Sequence, residues 1–395
     1  MSQNKTNICL NMIVKNETKV LPRLFKSLHR YIDNYVIVDT GSSDGTPDLI
    51  KAEMDKYGIE GEVHHRPWVN FGHNRQEALE LAIAAKKADW LLFIDADEEL
   101  GVSDEKFYKN LQPGVSYNLE KHHGSMRYAV PHLIDISENK WEWKGVVHNY
   151  LDPLTDGEIQ TRKDVWIIYH PGEGAKSQGV TPEEKYLKDA RLLEAELEKY
   201  PEDARSQFYL GQSYRNAGFH SSTTGYYEEA YESFLKRSKM TNGWMDENYI
   251  ALLEAGLLAH FLDKPHEHAI SLLLQAHELR PQRAEAMYRL AKVSRLSGNY
   301  HQAYVFAKAS VAIPIPKEGL FLNHMVYRWS RWDELSVAAN QTGRHNECIE
   351  ACDEILKQVD NGLELDDETL ERIKFNRDLS VSVLAKNARK TEGVS

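Results

Sequence analysis

The chain has 395 residues, of which 42% are hydrophobic and 27% are charged, and this composition excludes a wholly disordered or low-complexity protein. Its 60 acidic and 48 basic residues give a formal net charge of −12, which argues against unspecific binding to nucleic acid or to anionic membranes. Three cysteines are too few for a disulfide framework, and neither a signal peptide nor a membrane-spanning apolar run is visible. The sequence therefore predicts a soluble cytoplasmic protein of two or three domains.

Up to about residue 170, short apolar runs alternate with amphipathic stretches. The runs at 7–14, 35–39 and 90–94 predict strands, and the stretches at 20–31 and 76–88 predict helices. This alternation is typical of a Rossmann-like α/β fold with a mixed, mostly parallel sheet. Ligands of such sheets bind beyond the carboxyl ends of the strands, where polar clusters of this sequence fall.

From Pro182 onward the strand pattern is absent and helical periodicity takes over. Gly298 and Gly343 each begin the pattern Gly-x-aromatic-x-x-small, with a leucine eight residues earlier. Tetratricopeptide repeats need such small residues where paired helices cross and glycine at the turn, although a generic helical bundle is the plainer alternative. The predicted organisation is an α/β domain over 1–180, a tetratricopeptide-like helical repeat domain over 181–385 and a flexible tail over 386–395.

The first polar cluster is Asp95-x-Asp97, which follows the apolar run Trp90–Ile94 and precedes Glu98 and Glu99. Two carboxylates one residue apart at a strand end can share a hard divalent cation, and Mg²⁺ or Mn²⁺ held this way keeps coordination positions for phosphates. Several clustered carboxylates are also costly without a cation. The plainer alternative is that Asp95 caps the next helix and Asp97 is solvated.

The second cluster is the segment 39–46, Asp-Thr-Gly-Ser-Ser-Asp-Gly-Thr, at the end of the second predicted strand. Its glycines permit a tight turn close to a ligand, and its acids and hydroxyls could grip a base or a ribose. The plainer alternative is a turn that caps the following helix and needs no ligand.

The third cluster, 141–150, places His148 among two tryptophans and a tyrosine. Neutral imidazole suits Mn²⁺, so His148 is a candidate third metal ligand and His170 is its rival. A histidine whose nitrogens are satisfied by backbone groups is the plainer alternative. The glycine-rich segment 170–177 lacks the spacing of a phosphate-binding P-loop, and its composition predicts a mobile lid.

The segments Met12–Glu17, Val38–Thr46, Asn74–Arg75 and Phe93–Glu98 occur in the order and spacing of a family 2 glycosyltransferase, which the sequence resembles. With its tetratricopeptide-like half, the chain is similar to the subgroup that includes bacteriocin S-glycosyltransferases. The resemblance implies a GT-A fold and a hexosyl transfer, with inversion, from a nucleotide diphosphate sugar, for which UDP is the expected nucleotide. It is weakest between residues 100 and 135.

The resemblance also implies roles for single residues. Asp95 and Asp97 would hold Mn²⁺ or Mg²⁺ against the diphosphate of the donor. The residues that would surround the donor nucleotide are Asn16, Glu17, Asp39, Thr40, Gly41, Asp44, Arg75 and Ala96.

Two positions depart from the pattern of the family. Thr40 stands where many relatives carry a second acid that helps to read uracil, and Asn149 stands where an acid usually follows the histidine. Because asparagine cannot act as a base, the general base for the acceptor stays open between Glu142 and Asp135.

Two functions of different class follow from the sequence. The first is a glycosyltransferase whose helical half presents a peptide, protein or glycan acceptor or mediates a homodimer. The second is an interaction protein in which the helical half binds a peptide and the α/β half is catalytically inactive. Intact Asp95, Asp97 and Arg75 favour the enzyme.

Overall fold

The chain divides into two compact units, residues 1–193 and 194–395. The division lies inside a helix, Pro182–Lys199, so the domain boundary expected at residue 180 stays a prediction. The computed structural model describes residues 7–123, 126–174, 179–221, 223–317 and 319–392.

The first unit is an α/β structure. Its helices are α1 (Leu21–Leu28), α2 (Thr46–Tyr57) and α3 (Phe71–Ala85). Its strands are β1 (Ile8–Val14), β2 (Asn34–Asp39), β3 (Glu60–His65), β4 (Trp90–Phe93), β5 (Glu98–Val102), β6 (Val115–His123), β7 (Met126–Asp135), β8 (Trp141–Lys144), β9 (Tyr150–Pro153) and β10 (Glu158–Tyr169).

Eight strands of the described residues form one sheet in the order β3-β2-β1-β4-β7-β6-β10-β5. The first four are mutually parallel, as are β6 and β10, whereas β7 and β5 run antiparallel to their neighbours. Strands β8 and β9 form a separate antiparallel pair. The mixed, mostly parallel α/β fold that the sequence predicts is therefore confirmed.

Helices cover both faces of the sheet. On one face, α1 packs its buried leucines against alternate residues of β1, and on the other α3 packs Leu79 and Ala82 against β2 and β4. Strands buried on both sides read as continuous apolar runs, which is why β1, β2 and β4 were predictable. Helix α3 begins five residues before the predicted start at 76, because the side chain of Asn70 accepts a hydrogen bond from His73 N at 2.8 Å and caps it.

The second unit consists of helices that pack chiefly against their neighbours in sequence. A π-helical stretch, Val326–Ser330, precedes one of them. The helices, with the one that crosses the division, are α4 (Pro182–Lys199), α5 (Ala204–Phe219), α6 (Gly225–Ser238), α7 (Met245–Phe261), α8 (His266–Leu279), α9 (Glu285–Leu296), α10 (Tyr300–Ala312), α11 (Arg331–Gln341), α12 (His345–Asp360) and α13 (Asp367–Glu392).

Glycine has the predicted positions in these helix pairs. Gly298 and Gly343 adopt φ values of +76° and +74° in the turns between α9 and α10 and between α11 and α12. A Cβ on Gly256 of α7 would lie 2.7 Å from a side-chain carbon of Leu273 in α8, so the helices cross too closely for a larger residue. The tetratricopeptide-like pairing of the helices is confirmed.

Arginine–carboxylate pairs join the first helices of successive pairs. Each of the four interfaces α5–α7, α7–α9, α9–α11 and α11–α13 has at least one such pair. Representative nitrogen–oxygen distances are 2.8 Å for Arg205–Glu247, 3.0 Å for Arg289–Glu254, 2.6 Å for Arg295–Glu334 and 2.9 Å for Arg372–Asp333.

Helix α13 continues to Glu392 and so includes most of the tail that the sequence predicts from residue 386. The flexibility of that tail stays a prediction. Helical propensity of its lysine, alanine and arginine residues accounts for the extension. Within the described ranges, no helix is both long enough and apolar enough to cross a bilayer.

Candidate functional site

The carboxyl ends of three parallel strands lie side by side at one edge of the sheet. Val14 at the end of β1 pairs with Asp39 at the end of β2, and Asn11 of β1 pairs with Phe93 at the end of β4. Three polar segments that the sequence singled out, 16–17, 39–46 and 95–97, therefore emerge at the same edge.

The loops after β1 and β2 are hydrogen-bonded into one wall. Ser43 N donates to Asn16 Oδ1 at 2.7 Å, Asn16 N donates to Ser42 Oγ at 2.9 Å, and Glu17 N donates to Thr46 Oγ1 at 2.9 Å. Asn16 has a φ of +58°, a left-handed conformation that asparagine tolerates better than most residues. Protein hydrogen bonds therefore hold the two loops against each other.

The side chains of three residues that were predicted to contact the nucleotide form hydrogen bonds within this wall. Asp39 accepts hydrogen bonds from Gly41 N and Ser42 N at 3.2 Å, and its carboxylate also lies 3.2 Å from His65 Nδ1. The buried Thr40 donates its hydroxyl to Val14 O at 3.0 Å.

Asp44 accepts hydrogen bonds from the backbone and hydroxyl groups of Thr18 and Thr46. Burial by itself would raise the pKa of Asp44, but these hydrogen bonds outweigh burial and hold its pKa below the ordinary value. The hydrogen bonds from Thr46 to Asp44 are those of the turn-capping alternative, whereas the Thr40 hydroxyl is bonded to the end of β1. Gly41 is exposed beside them.

Asp95 meets Arg75 just beyond the end of β4. Arg75 Nη2 lies 2.5 Å from Asp95 Oδ1, and the guanidinium lies 4.9 Å from the ring centroid of Trp143 on β8. Burial by itself would raise the pKa of Asp95, but the charge of Arg75 outweighs burial and holds its pKa below the ordinary value. The carboxylate is therefore charged and held in one orientation, and a small cleft lies between these residues and Phe93.

Asp97 is half-buried and differs from Asp95 in its surroundings, with the buried Ala96 between them. Burial, followed by repulsion from Asp95, raises the pKa of Asp97. Among the described residues, Asp97 takes part in no ion pair within 4 Å. The segment 170–174 lies against it, since His170 N donates to Asp97 O at 3.1 Å and a Cβ on Gly174 would lie 2.7 Å from Asp97 Oδ2. Residues 175–178 of the predicted lid lie outside the described residues.

Three buried ionisable groups beneath the site were not predicted as a set. Glu98 accepts a hydrogen bond from Asp95 N at 2.8 Å and forms an ion pair with Lys121 of β6. His132 of β7 is 8% exposed, and its Nδ1 donates to Phe93 O at 2.7 Å, so that Nε2 is left as an acceptor that has no hydrogen-bond partner within the described chain. Lys121 and His132 belong to the segment where the family resemblance is weakest, and no motif marks them.

The two candidate histidine ligands lie in different settings. His148 is exposed between β8 and β9 with a φ of +48°, and His170 Nε2 lies 2.7 Å from Glu99 Oε1. In the part of the chain that is described, no three histidine, cysteine or acidic side chains gather into a metal site of their own. The assignment of a third protein ligand stays a prediction.

Asp135, one of the two predicted base candidates, is fully buried and far from Asp95. It pairs with Trp90 at the start of β4, whereas Asp95 follows the end of that strand, about 16 Å away at the rise of a β-strand. Its carboxylate accepts hydrogen bonds from Gly114 N, Ser137 Oγ, Glu138 N and Asn139 Nδ2 and so stabilises a turn, a placement that argues against the predicted role as a base.

The side chain of Glu142, the other base candidate, points to the face of β8 opposite to that of Trp143. Successive strand residues point to opposite faces, and Trp143 packs edge-on against Phe93 at 5.2 Å beside Arg75. Glu142 points the other way, where it lies 3.6 Å from Lys144 Nζ. This placement argues against Glu142 as a base for chemistry at Asp95 and Asp97.

Residues 9–112 match the family model described as Glycosyl transferase family 2. They run from the second residue of β1 to beyond β5 and contain all the residues named above at the carboxyl edge of β1, β2 and β4. The first unit therefore contains a glycosyltransferase family 2 domain.

Curated relatives of the chain include a glycosyltransferase and a TPR repeat-containing protein. The chain is similar to the SPbeta prophage-derived glycosyltransferase SunS of Bacillus subtilis, with 25% identity over 219 residues, 52% of this chain and 48% of SunS. It is 37% identical over 94 residues, 24% of this chain, to 21% of the TPR repeat-containing protein Synpcc7942_0270 of Synechococcus elongatus. The chain thus spans about half the length of SunS and about a fifth of the second relative.

A lipopolysaccharide core biosynthesis glycosyltransferase, LpsC of Rhizobium meliloti, shares 36% identity over 89 residues, 22% of this chain and 31% of LpsC. Among solved structures, MamA aligns with a TM-score of 0.35 and 19% identity over 45% of this chain and 90% of MamA.

Proposed function

We propose that this protein is a glycosyltransferase that moves a hexosyl group from a nucleotide diphosphate sugar, with UDP as the expected nucleotide, to a peptide, protein or glycan acceptor. The observation that carries the proposal is the pair Asp95 and Asp97 at the carboxyl end of β4, next to Arg75, within a family 2 glycosyltransferase domain. The similarity to SunS and LpsC supports sugar transfer. Inversion at the anomeric carbon is the outcome that the family resemblance implies.

The residues present fit a hard divalent cation such as Mn²⁺ or Mg²⁺. Asp95 and Asp97 supply only carboxylate oxygens, and Asp97 has a raised pKa of the kind that a bound cation would reverse. Two carboxylates would leave most coordination positions to water and donor phosphates. A cation held there would neutralise the diphosphate as it leaves.

The protein groups around this position have separate tasks in the proposed reaction. The rigid wall formed by the loops after β1 and β2 would hold the nucleoside, because its hydrogen bonds leave little freedom to rearrange. Arg75 orients Asp95 and adds positive charge where the diphosphate would lie.

The helical unit would select the acceptor, and a homodimer through that unit stays a prediction. Three free, buried cysteines agree with a cytoplasmic, reducing location.

Calorimetric titration of the purified protein with UDP, GDP, CDP and dTDP, with and without Mn²⁺, tests the proposal. We expect one nucleotide, UDP, to bind only when Mn²⁺ is present. Asp97→Asn should abolish that binding and lower sugar-nucleotide turnover by at least about a hundredfold, because it removes a cation ligand but no core volume. Asp156→Asn, at an exposed loop position, is the matched control and should behave like the parent protein.

Full activity of the Asp97→Asn variant would reject the assignment of the cation site. If no nucleotide binds under any condition, the interaction protein with an inactive first unit becomes the better account. Binding of GDP, CDP or dTDP in place of UDP would keep the glycosyltransferase and correct only the donor.

A further inference from the structure

The second unit contains a groove of about 260 Å³ that is lined by none of the residues assigned to the donor and cation site. Helices α5, α7 and α9 form its floor, and the segment 319–326 closes one side. We call it the arginine groove, after Arg215, Arg283 and Arg289, which line it together with apolar residues that include Ile250 and Phe321.

The arginine groove carries an uncompensated positive charge. Glu254 lies between two arginines, with Oε2 3.0 Å from Arg215 Nη1 and Oε1 3.0 Å from Arg289 Nη2. Burial by itself would raise the pKa of Glu254, but the two arginines outweigh burial and lower its pKa. Because Arg283 is already paired with Glu285 at 2.8 Å, two guanidinium groups share the single carboxylate of Glu254.

The two arginine side chains are more exposed than Glu254, so the positive charge lies at the surface of the groove. The Glu254 side chain is 8% exposed, whereas those of Arg215 and Arg289 are 33% and 21% exposed. An incoming ligand would therefore meet guanidinium N–H groups before it met the carboxylate. This is a local exception on a chain whose formal net charge is −12.

One side of the groove already holds polypeptide backbone through charged side chains. Leu320 N donates to Asp246 Oδ2 at 2.9 Å, and Arg283 Nη1 donates to Leu320 O at 2.9 Å. Phe321 follows with a φ of +49°, is 51% exposed and lies 6.5 Å from the ring of Phe208. An apolar ring is thus presented next to the arginines, beside a stretch of main chain held in place.

We propose that the arginine groove binds an acidic segment of a peptide, with a side-chain carboxylate on Arg215 and Arg289 and an apolar neighbour on Phe321. A ligand carboxylate bound to Arg215 and Arg289 would add a second negative charge beside Glu254. The two carboxylates would then balance the charges of the two guanidinium groups. The adjoining apolar surface and the volume of the groove favour a peptide over a small free anion. This binding does not depend on the proposed glycosyl transfer.

Selection from a displayed library of random short peptides on the immobilised full-length protein tests the proposal. We expect the retained peptides to be enriched in Asp or Glu next to an apolar residue, and a synthetic retained peptide to bind more weakly as salt increases. Replacing its acid by the corresponding amide should weaken binding by about tenfold, which corresponds to one lost charged contact. Retained peptides without acidic enrichment, or equal binding of the amide peptide, would overturn the proposal.

Two variants of the protein shift the charge of the groove in opposite directions. Glu254→Gln leaves both arginines uncompensated and should strengthen binding of the synthetic peptide several-fold, whereas Arg289→Gln should weaken it about tenfold. Misfolding would weaken binding in both variants, so opposite shifts cannot arise from it. Arg372→Gln, which removes an arginine paired with Asp333 outside the groove, is the matched control. Unchanged binding in both groove variants would place the peptide elsewhere.

Discussion

At the scale of single residues, His132 couples the stability of the first unit to pH. Burial, followed by the charge of Lys121, lowers the pKa of His132 from 6.5 to about 4. The unfolded chain therefore takes up a proton below about pH 6.5, while the folded chain resists protonation until about pH 4. The stability that depends on neutral His132 is present above pH 6.5 and is lost as the pH falls towards 4, by up to about 3 kcal/mol.

We expect His132→Gln to reduce this loss of stability between pH 6.5 and pH 4.5, because glutamine has no proton to gain. Urea unfolding followed by pulse proteolysis of the first unit measures the free energy of unfolding at both pH values. The same change at the exposed His301 is the control and should leave the loss as it is in the parent protein. An undiminished loss in His132→Gln would show that other groups carry the pH dependence.

Single residues of the site were predictable where a motif marks them and not elsewhere. Strongly apolar or helical runs adjoin Asp95, Asp97 and Arg75 in the sequence. The sequence therefore predicts that these residues lie at the same edge of the sheet. Glu142 and Asp135 are base candidates by their chemistry alone, but Asp135 pairs with the far end of β4 and Glu142 lies beside Lys144. Lys121 and His132 become neighbours of the site only through the pairing of β6 and β7, which no local pattern encodes.

At the scale of elements, α3 approaches the loop after β8 so closely that only glycine fits between them. A Cβ on Gly72 would lie 2.3 Å from Gly145 O, a backbone atom that cannot move aside as a side chain can. The same helix carries Arg75, and Trp143 N of β8 donates to Gln76 Oε1 at 2.9 Å. The contact therefore sets the position of Arg75 relative to Trp143.

Gly72→Ala should separate α3 from this loop and lower the free energy of unfolding by about 1–3 kcal/mol, the usual cost of overpacking. Thermal and urea unfolding measure the effect. Glu80→Ala, at an exposed position of the same helix, should cost far less. A Gly72→Ala variant as stable as the parent would contradict the close approach of α3 to Gly145.

Elements were predictable in proportion to their burial. The three central parallel strands have continuous apolar runs, whereas β10 (Glu158–Tyr169) begins with exposed, mostly polar residues and gives no clear pattern from sequence. Helix α3 begins before its predicted start because the apolar periodicity does not reveal the cap at Asn70. In the helical half, the repeated glycine spacing indicated the turns at Gly298 and Gly343 correctly.

At the scale of the whole molecule, the second unit has a core and a polar network of its own. Its buried residues include Phe208, Leu290 and Ile355, and its arginine–carboxylate pairs join helices of the same unit. We expect a fragment that begins at Pro182 to fold alone, with a helical circular dichroism spectrum and one cooperative thermal transition. A fragment that begins at Pro201 lacks α4, whose Glu194 accepts a hydrogen bond from the hydroxyl of Tyr214 on α5, and should melt at a lower temperature.

A fragment from Pro182 that shows helical signal without a cooperative transition would mean that the second unit depends on the first for its packing. Equal melting temperatures of the two fragments would assign α4 to the first unit. Either result would also decide where the boundary between the predicted domains falls, which sequence alone places at residue 180.

Along the array, the first helices of successive helix pairs alternate between arginine and acidic residues at the positions that form ion pairs. At the paired positions, α5, α9 and α13 present arginine, whereas α7 and α11 present glutamate or aspartate. Gain or loss of a single helix pair inside the array would bring arginine against arginine or acid against acid, while a change by two pairs would keep every interface complementary. We therefore expect the array to tolerate gain or loss of helix pairs only in multiples of two. The order of the helices then depends on the complementarity of charge between them as well as on their packing.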